Sequence, residues 1–426
     1  ESLWEGTMPD ERPTVVIVGA GFGGLRAARR LRRAAVRVIL LDRRNHHLFQ
    51  PLLYQVATAG LEPEQIAKPV RAILRGQANL EFRMAEVRSV DLASRIVRTS
   101  AGDVPYRYLI LAVGAETDYF GKQGVIRYGH GLKDLNDAVA IRNCVLRRFE
   151  EAALEDDPIK RRAMLGLVVV GGGPTGVEMA GAMAELVHLV LVKDYPRLNP
   201  DEVQILLVEA GDRLLPGMPP ELSRAAAAHL ERKRVRVRLG TLVEDYDGEG
   251  VSFQGGERIE AKTLIWAAGA RAAPLVRSLG LPTARHGRLP VALTLQLPGV
   301  PEAYLIGDAA YLEGDGQPLP MMAPVAMQMA DTAVENIVRQ LEGRSATVFR
   351  YRSPGSLATI GRNAAVAHVH GVSFRGFAAW VVWLVVHLIQ LIGFRNRLFV
   401  LVNWAVDYFL YDRAVRLITP TQQEPC

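Results

Sequence analysis

Cysteine is nearly missing from this 426-residue chain, which holds only Cys144 and Cys426. Two thiols this far apart make neither a disulfide framework nor a Cys-x-x-Cys redox pair. Any electron traffic must therefore run without a vicinal dithiol. The opening stretch, Glu1 to Pro13, is polar and lacks the apolar core of a secretory signal, so a cytoplasmic setting is expected. There is no helix-turn-helix pattern, zinc-ligand spacing or RNA-binding aromatic motif. Nucleic acid is thus not an expected partner despite a net charge of +6. No Gly-x-Ser-x-Gly elbow occurs either, which leaves a nucleophilic triad without support. His46 and His47, like His368 and His370, lack the cysteine or carboxylate company of a zinc site, and no metal is expected.

What is present is apolar content of 49% and a mean hydropathy of +0.09. The length suits two or three domains. Two glycine-rich turns of one kind stand out. The first is Val15-Val16-Ile17-Val18-Gly19-Ala20-Gly21-Phe22-Gly23-Gly24, and the second is Val168-Val169-Val170-Gly171-Gly172-Gly173-Pro174-Thr175-Gly176. Two such turns suggest two dinucleotides, one able to hand a hydride to the other.

In the first copy a buried strand over 14–18 leads into the turn. Gly19 makes the bend, Gly21 lets backbone approach a pyrophosphate, and Gly24 packs the next helix on the strand. The helix expected over Leu25 to Arg33 points its N-terminus at the phosphates, where free N–H groups favour an anion. The next strand, Val38 to Leu41, ends at Asp42, an acid roughly 20 residues after the turn and placed for ribose hydroxyls. In the second copy the strand Gln204 to Val208 stops at Glu209, later than usual because Leu186 to Asp201 adds helix and linker. Glu209 would accept ribose hydroxyl bonds and repel a 2′-phosphate, so NADH is expected over NADPH. Its alternative role is capping a turn.

Two strands end alike, in Tyr108-Leu109-Ile110-Leu111-Ala112-Val113-Gly114-Ala115 and Thr263-Leu264-Ile265-Trp266-Ala267-Ala268-Gly269-Ala270. Small residues there let the chain cross close to a cofactor. Later, Ala303-Tyr304-Leu305-Ile306-Gly307-Asp308-Ala309-Ala310 delivers a carboxylate to a helix start, where it could meet a ribityl chain. Together these resemble the two-dinucleotide-binding-domain flavoproteins, whose first domain takes FAD and second NAD(P)H. The stretch Asn45-His46-His47-Leu48-Phe49-Gln50-Pro51-Leu52-Leu53-Tyr54-Gln55-Val56-Ala57-Thr58 narrows the likeness. So do Gly171 to Glu178, Ala358-Thr359-Ile360-Gly361-Arg362 and Gly393-Phe394-Arg395-Asn396-Arg397-Leu398. These are similar to the type II NADH dehydrogenases, the single-chain, non-proton-pumping NADH:quinone oxidoreductases.

The resemblance implies an α/β fold of two Rossmann-like domains in the glutathione-reductase-like arrangement, with C-terminal membrane-anchoring helices. After an extension over 1–13, an FAD domain (14–115 and 272–345) is interrupted by an NADH domain (116–271), and an anchoring region covers 346–426. Non-covalent FAD falls to Gly19, Gly21, Phe22, Gly23, Gly24, Asp42, Arg43, Gln50, Pro51, Leu52, Val87, Ala112, Gly114, Asp308 and Ala326. NADH falls to Gly171, Gly173, Pro174, Thr175, Gly176, Glu178, Glu209, Ala268 and Gly269. Glu178, read as lying on the first turn of its helix, is the first catalytic candidate and is linked by the resemblance to proton delivery. Gln328 is the second. The family pattern Ala-Gln-x-Ala-x-Gln reads here Ala323-Pro324-Val325-Ala326-Met327-Gln328. The last glutamine could bond a quinone carbonyl, while Pro324 replaces the first. A membrane quinone, the bilayer surface and a second copy of the chain are the expected partners, at the cytoplasmic face of the cell membrane.

The tail carries two apolar runs, Phe377 to Phe394 and Leu398 to Leu410, with Trp380, Trp383 and Trp404 read as interfacial and Arg375, Arg395 and Arg397 flanking. Two helices lying on one leaflet are expected. A transmembrane helix and a buried core or dimer contact are the alternatives. Competing classes are sulfide:quinone oxidoreductases, which would need cysteines, soluble ferredoxin-type reductases, which would not need the tail, and FAD/NADH-binding redox sensors.

Overall fold

The computed structural model describes residues 12–314, 316–410 and 415–419. Cys426 and residues 1–11 of the expected extension over 1–13 lie outside them. The chain forms two compact units. The first holds the residues up to His47, Lys68–Glu116 and Ala270–Ser353; the second holds Leu48–Ala67, Thr117–Gly269 and the residues from Pro354 onward.

The first unit is built on a six-stranded sheet in the order Gln296–Leu297, Val300–Leu305, Tyr108–Leu111, Thr14–Val18, Arg37–Asp42, Leu80–Met84. All neighbours are parallel except the outermost pair of Gln296–Leu297 with Val300–Leu305. The central strand pairs Val15 with both Val38 and Tyr108, and Val15, Val16 and Ile17 are fully buried. A strand buried on both faces needs apolar residues at every position rather than every second one, which is what Thr14–Val18 supplies. The second unit repeats the plan. Its parallel sheet runs His130–Gly131, Thr263–Trp266, Gly166–Val170, Gln204–Val208, Val235–Arg238. In each unit a three-stranded antiparallel meander precedes the last inner strand. It spans Val87–Asp91, Ile96–Thr99 and Gly102–Pro105 in one, and Val243–Tyr246, Gly250–Phe253 and Arg258–Glu260 in the other.

The boundaries differ from the sequence expectation. Residues 48–67 and the tail both belong to the second unit, not to a flavin half and a separate anchor. Local bonding gives the reason. The Phe49 amide donates to the Ile66 carbonyl, Gln50 Nε2 donates to the Lys133 carbonyl at 2.8 Å, and Trp404 Nε1 donates to Gln55 Oε1 at 2.8 Å. Gln50, Pro51 and Leu52, expected along a flavin, therefore sit in the unit that carries the second glycine turn. The first helix also starts earlier than expected, at Phe22, and ends at Arg30.

The tail forms a small antiparallel sheet, Ser356–Thr359, Ala365–Val369 and Val372–Gly376, followed by helices Phe377–Gln390 and Phe394–Leu410. Of the first helix only Ala379 and Trp383 are buried. At 14 residues it rises about 21 Å, short of the ~30 Å hydrocarbon core of a bilayer, so the transmembrane alternative does not hold for it. Among the described residues one helix, Pro174–Asp194, is long and apolar enough to cross a membrane. Its most apolar stretch is 72% buried within the protein, because it is the core helix that follows the second glycine turn.

Candidate dinucleotide cradles and an apolar cavity

The two glycine turns are built atom for atom in the same way. Gly19 has φ +101° and its N–H donates to the Leu41 carbonyl; Gly171 has φ +114° and donates to the Val208 carbonyl. Any Cβ at either would strike the neighbouring strand, 2.3 Å from Ala112 O and 2.8 Å from Ala267 O. Gly24 and Gly176 are each so close that a Cβ would lie 1.8 Å from the carbonyl oxygen of Gly19 or Gly171. Gly21 and Gly173, in contrast, face open space, with nothing within 4 Å of a built Cβ. Both are the residue immediately before a helix, at Phe22 and Pro174. Two glycines are thus fixed by packing and the third leaves clear a helix N-terminus, the shape a pyrophosphate fits.

The strand-end acids complete each turn. Asp42 accepts the Ala20 N–H at 2.6 Å and the Arg44 N–H at 2.8 Å. Glu209 accepts the Gly172 N–H at 2.5 Å and the Gly211 N–H at 2.6 Å. Each carboxylate pins the residue after its first glycine, so the turn-holding role weighed for Glu209 is present, with lone pairs left over for a ribose. Pro174 and Thr175 are exposed at the start of the second helix, and Gly269 bends at φ +73° beside Phe120.

In the first unit, Gly23, Ile306, Gly307 and Ala326 converge. A Cβ on Gly23 would lie 3.1 Å from Ile306 Cδ1 and 3.2 Å from the Ala326 carbonyl, and one on Gly307 would lie 3.2 Å from Ala326 Cβ. The helices Phe22–Arg30 and Ala323–Leu341 are held there by a two-pronged pair, Arg26 Nε and Nη2 to Asp331 at 2.8 and 3.0 Å. Asp308 sits on the Gly307–Ala309 turn after the Val300–Leu305 strand. Gly114 bends at φ +69°, Val87 opens the first meander and Arg43 is exposed beyond Asp42. His47 is buried with Nδ1 2.9 Å from the Ala20 carbonyl and its ring edge-on to Phe22. Burial lowers its pKa. That contact braces the turn and leaves a metal role without support; no metal-capable cluster occurs among the described residues.

Gln328 was expected to offer its amide to a quinone. Here Nε2 donates to the Arg352 carbonyl at 2.8 Å and Oε1 accepts the Arg352 N–H at 3.0 Å, so the amide already holds the chain that leaves the unit. Pro324 fits the first turn of its helix as expected.

Glu178 differs more sharply. The helix starts at Pro174 with no acid in its first turn, so Glu178 lies in the second turn, pointing into the protein. It is 8% exposed. Its Oε1 accepts the Thr359 N–H at 3.3 Å and the Trp383 indole N–H at 3.2 Å. Burial outweighs those two bonds and pushes its pKa up to about 8. Trp383 stacks on His387 at 4.1 Å, and burial holds His387 down to about 4, hence neutral. Of the tryptophans expected at a lipid interface, Trp383 is buried, while Trp380 and Trp404 are half-buried. Trp383 is 1% exposed, Trp404 bonds Gln55 and Trp380 stacks on Tyr408 at 5.6 Å.

Trp383 and Thr359 also form part of the wall of a cavity of about 390 Å³ within the second unit. Tyr54, Gln55, Trp380, Trp404 and Tyr408 line it as well, with Val381, Val385, Leu401 and Phe409, side chains that also reach the exposed surface. Arg362, its guanidinium 3.9 Å over the Tyr408 ring, adds a polar corner. No sequence pattern singled out Trp383 as a partner of Glu178. The only signal was its place in a run too apolar for the surface.

Comparison with known proteins agrees with this architecture. The profile of the pyridine nucleotide-disulphide oxidoreductases matches residues 13–330, and that of the NDH2 C-terminal domain matches residues 354–413. The type II NADH:quinone oxidoreductase Ndh of Mycobacterium tuberculosis is 38% identical over 429 residues, covering 97% of this chain and 92% of that protein. Demethylphylloquinone reductase NdbB of Synechocystis is 30% identical over 413 residues, covering 93% and 96%. NDH2 from Plasmodium falciparum, solved with NADH, shares the fold with a TM-score of 0.86 over 96% of this chain and all of that one, at 21% identity. The fold and the paired cradles define a two-dinucleotide oxidoreductase of the pyridine nucleotide-disulphide class. Within that class the chain belongs to the type II NADH:quinone oxidoreductases. The sequence holds two cysteines and no Cys-x-x-Cys motif.

Proposed function

We propose that the protein oxidises NADH and reduces a membrane quinone to its quinol by two electrons, without pumping protons. The observation that carries this reading is the buried acid Glu178 set behind the wall of an apolar cavity that opens among exposed apolar side chains. A quinone takes up two protons as it becomes a quinol. NADH supplies one hydride, so one further proton must come from water or from an acid. A carboxyl whose pKa is raised to about 8 carries that proton at neutral pH and can release it to a developing anion.

The first cradle, with Gly21, Gly24 and Asp42, fits the adenine half of a non-covalent FAD. The second, with Gly173, Pro174, Thr175 and Glu209, fits NADH. When bound, the flavin accepts a hydride equivalent from NADH and supplies two electrons to the quinone. The residues around it bind, orient and keep out water. Arg26 and Asp331 clamp the two helices beside Gly23 and Ala326. Glu209, carrying negative charge at the strand end, disfavours a 2′-phosphate and so favours NADH.

The exposed apolar side chains of the two tail helices, among them Phe377, Val385, Ile389, Phe394, Leu398 and Phe409, suit the surface of a bilayer from which an isoprenoid quinone reaches the cavity. NADH is a coenzyme of the cytoplasm, so the protein sits on that face of the cell membrane. The same apolar side chains offer a contact for a homodimer.

The test is anaerobic. NADH is mixed with the yellow holoenzyme, flavin absorbance is followed, and a short-chain quinone is then added. Fast bleaching followed by fast recovery is expected. Bleaching without recovery would point to a protein acceptor or a sensor and end the quinone assignment.

A further inference from the structure

We infer that Trp383 is a positioning residue for Glu178, and that through it the docking of the Phe377–Gln390 helix sets how readily that carboxyl gives up its proton. The inference rests on the proposed role of Glu178, but its evidence is separate.

The helix contributes only Ala379 and Trp383 to the buried interior, while Val381, Val385 and Ile389 stay exposed. Trp383 is therefore the pin by which an otherwise surface-lying helix enters the second unit. Its indole makes one hydrogen bond and three ring contacts. The N–H donates to Glu178 Oε1 at 3.2 Å, one face stacks on His387 at 4.1 Å, and the rings of Tyr54 and Trp404 lie at 6.4 and 5.8 Å. His387 locks the arrangement from one turn further on, its Nδ1 2.8 Å from the Trp383 carbonyl. Both donors to Glu178, Trp383 Nε1 and Thr359 N, go to the same oxygen.

The direction of the effect follows from the hydrogen bond. An N–H donor stabilises the carboxylate more than the acid, so the indole opposes the burial that raises the pKa. The titratable groups that face this region do not duplicate it. His387, on the same helix, is held neutral, and Tyr54 comes from the Leu53–Ala57 helix. Further along Glu178's own helix, Glu185 is paired with Lys233 at 2.7 Å and accepts the Arg362 N–H. Trp383 is thus the one side-chain donor to Glu178 among the described residues, and it arrives on a helix with only two buried residues.

The decisive measurement is an infrared pH titration of the protonated carboxyl stretch of Glu178 in the holoenzyme, assigned by its loss in Glu178→Gln. In Trp383→Phe, which keeps an aromatic ring but has no N–H, the titration should move up by about one pH unit. The limb of quinone-dependent turnover governed by Glu178 should move with it, while flavin reduction by NADH stays within twofold. A benzothienylalanine at 383 keeps the bicyclic shape and lacks only the donor. It should give the same shift, and it serves if Trp383→Phe loses the fold. Ile389→Lys on the exposed face should leave the titration in place. An unshifted titration in the benzothienyl variant would overturn the inference and reduce Trp383 to packing. If instead Glu178→Gln removes the band but leaves quinone turnover intact, the proposed role of Glu178 fails while the positioning by Trp383 stands.

Discussion

Glu178 is an acid that the fold keeps protonated, and this has two measurable consequences. Burial raises its pKa from 4.5 to about 8, so the folded chain holds a proton that the unfolded chain has released between those values. The stability it contributes is whole below about pH 4.5 and is lost as pH rises through about 8. Melting curves from pH 5 to 9 should therefore show wild type losing more stability with rising pH than Glu178→Gln, which has no proton to lose; parallel curves would refute the buried-acid reading. The same ionisation should appear in turnover. Quinone reduction should fall as pH rises through about 8. Glu178→Gln should lower it about 100-fold near pH 7 and erase that limb, with flavin content unchanged. Glu209 offers a second residue-level test. Its carboxylate holds Gly172 and Gly211 through separate oxygens, so Glu209→Gln removes the charge and keeps an acceptor for one of the two N–H groups. The ratio of kcat/KM for NADH over NADPH should drop about tenfold, a change of ~1.4 kcal/mol. An unmoved ratio would leave Glu209 a turn-holder only.

The glycine turns are where sequence and structure coincide most closely, and the reason is geometric. A Cβ 1.8 Å from a carbonyl oxygen at Gly24 or Gly176 leaves a single permitted residue type, so the pattern can be read directly. Gly24→Ala should cost several kcal/mol or prevent folding. Gly21→Ala and Gly173→Ala meet open space, so these variants should fold with near wild-type melting but bind poorly. The first should purify with little flavin, and the second should retain flavin with a raised KM for NADH. Swapped phenotypes would reverse the assignment of the two cradles. Strand positions such as Gln204–Val208 and Thr263–Trp266 were equally legible, since a strand buried on both faces leaves an unbroken apolar run. Glu178 was named from the sequence but placed one turn too early, because Pro174 at the helix start shifts which residue counts as first. Its partners were beyond reach. The bonds from Thr359 and Trp383 span 181 and 205 residues, and no local periodicity encodes a contact that distant. The backbone partner of Gln328 was out of reach for a different reason. A polar residue next to a cofactor motif invites a ligand role, yet the nearby backbone of Arg352 satisfies both ends of its amide.

For the whole molecule the tail decides whether the enzyme meets its second substrate. High apolar content and three tryptophans in the last fifth of the chain pointed to a membrane, and the two helices do leave large apolar side chains exposed. Of the tryptophans, Trp383 is buried against Glu178, whereas Trp404 and Trp380 are half-buried beside Gln55 and Tyr408. In the membrane-bound state proposed above, anchoring would fall to the aliphatic and phenylalanine side chains, while the indoles line the cavity. This division separates two functions that one truncation would confuse. Ile389→Lys with Leu398→Lys changes only side chains that are 62% and 49% exposed, and each lysine at a lipid surface forfeits about 1 kcal/mol or more of apolar burial. The double variant should lose roughly tenfold or more in sedimentation with anionic lipid vesicles, and turnover with a long-tailed quinone in those vesicles should fall in step. Turnover with a water-soluble short-chain quinone, which needs no membrane, should stay within twofold. Equal loss with both quinones would mean that these side chains serve the cavity itself. Unchanged sedimentation would place the lipid contact on another face of the protein.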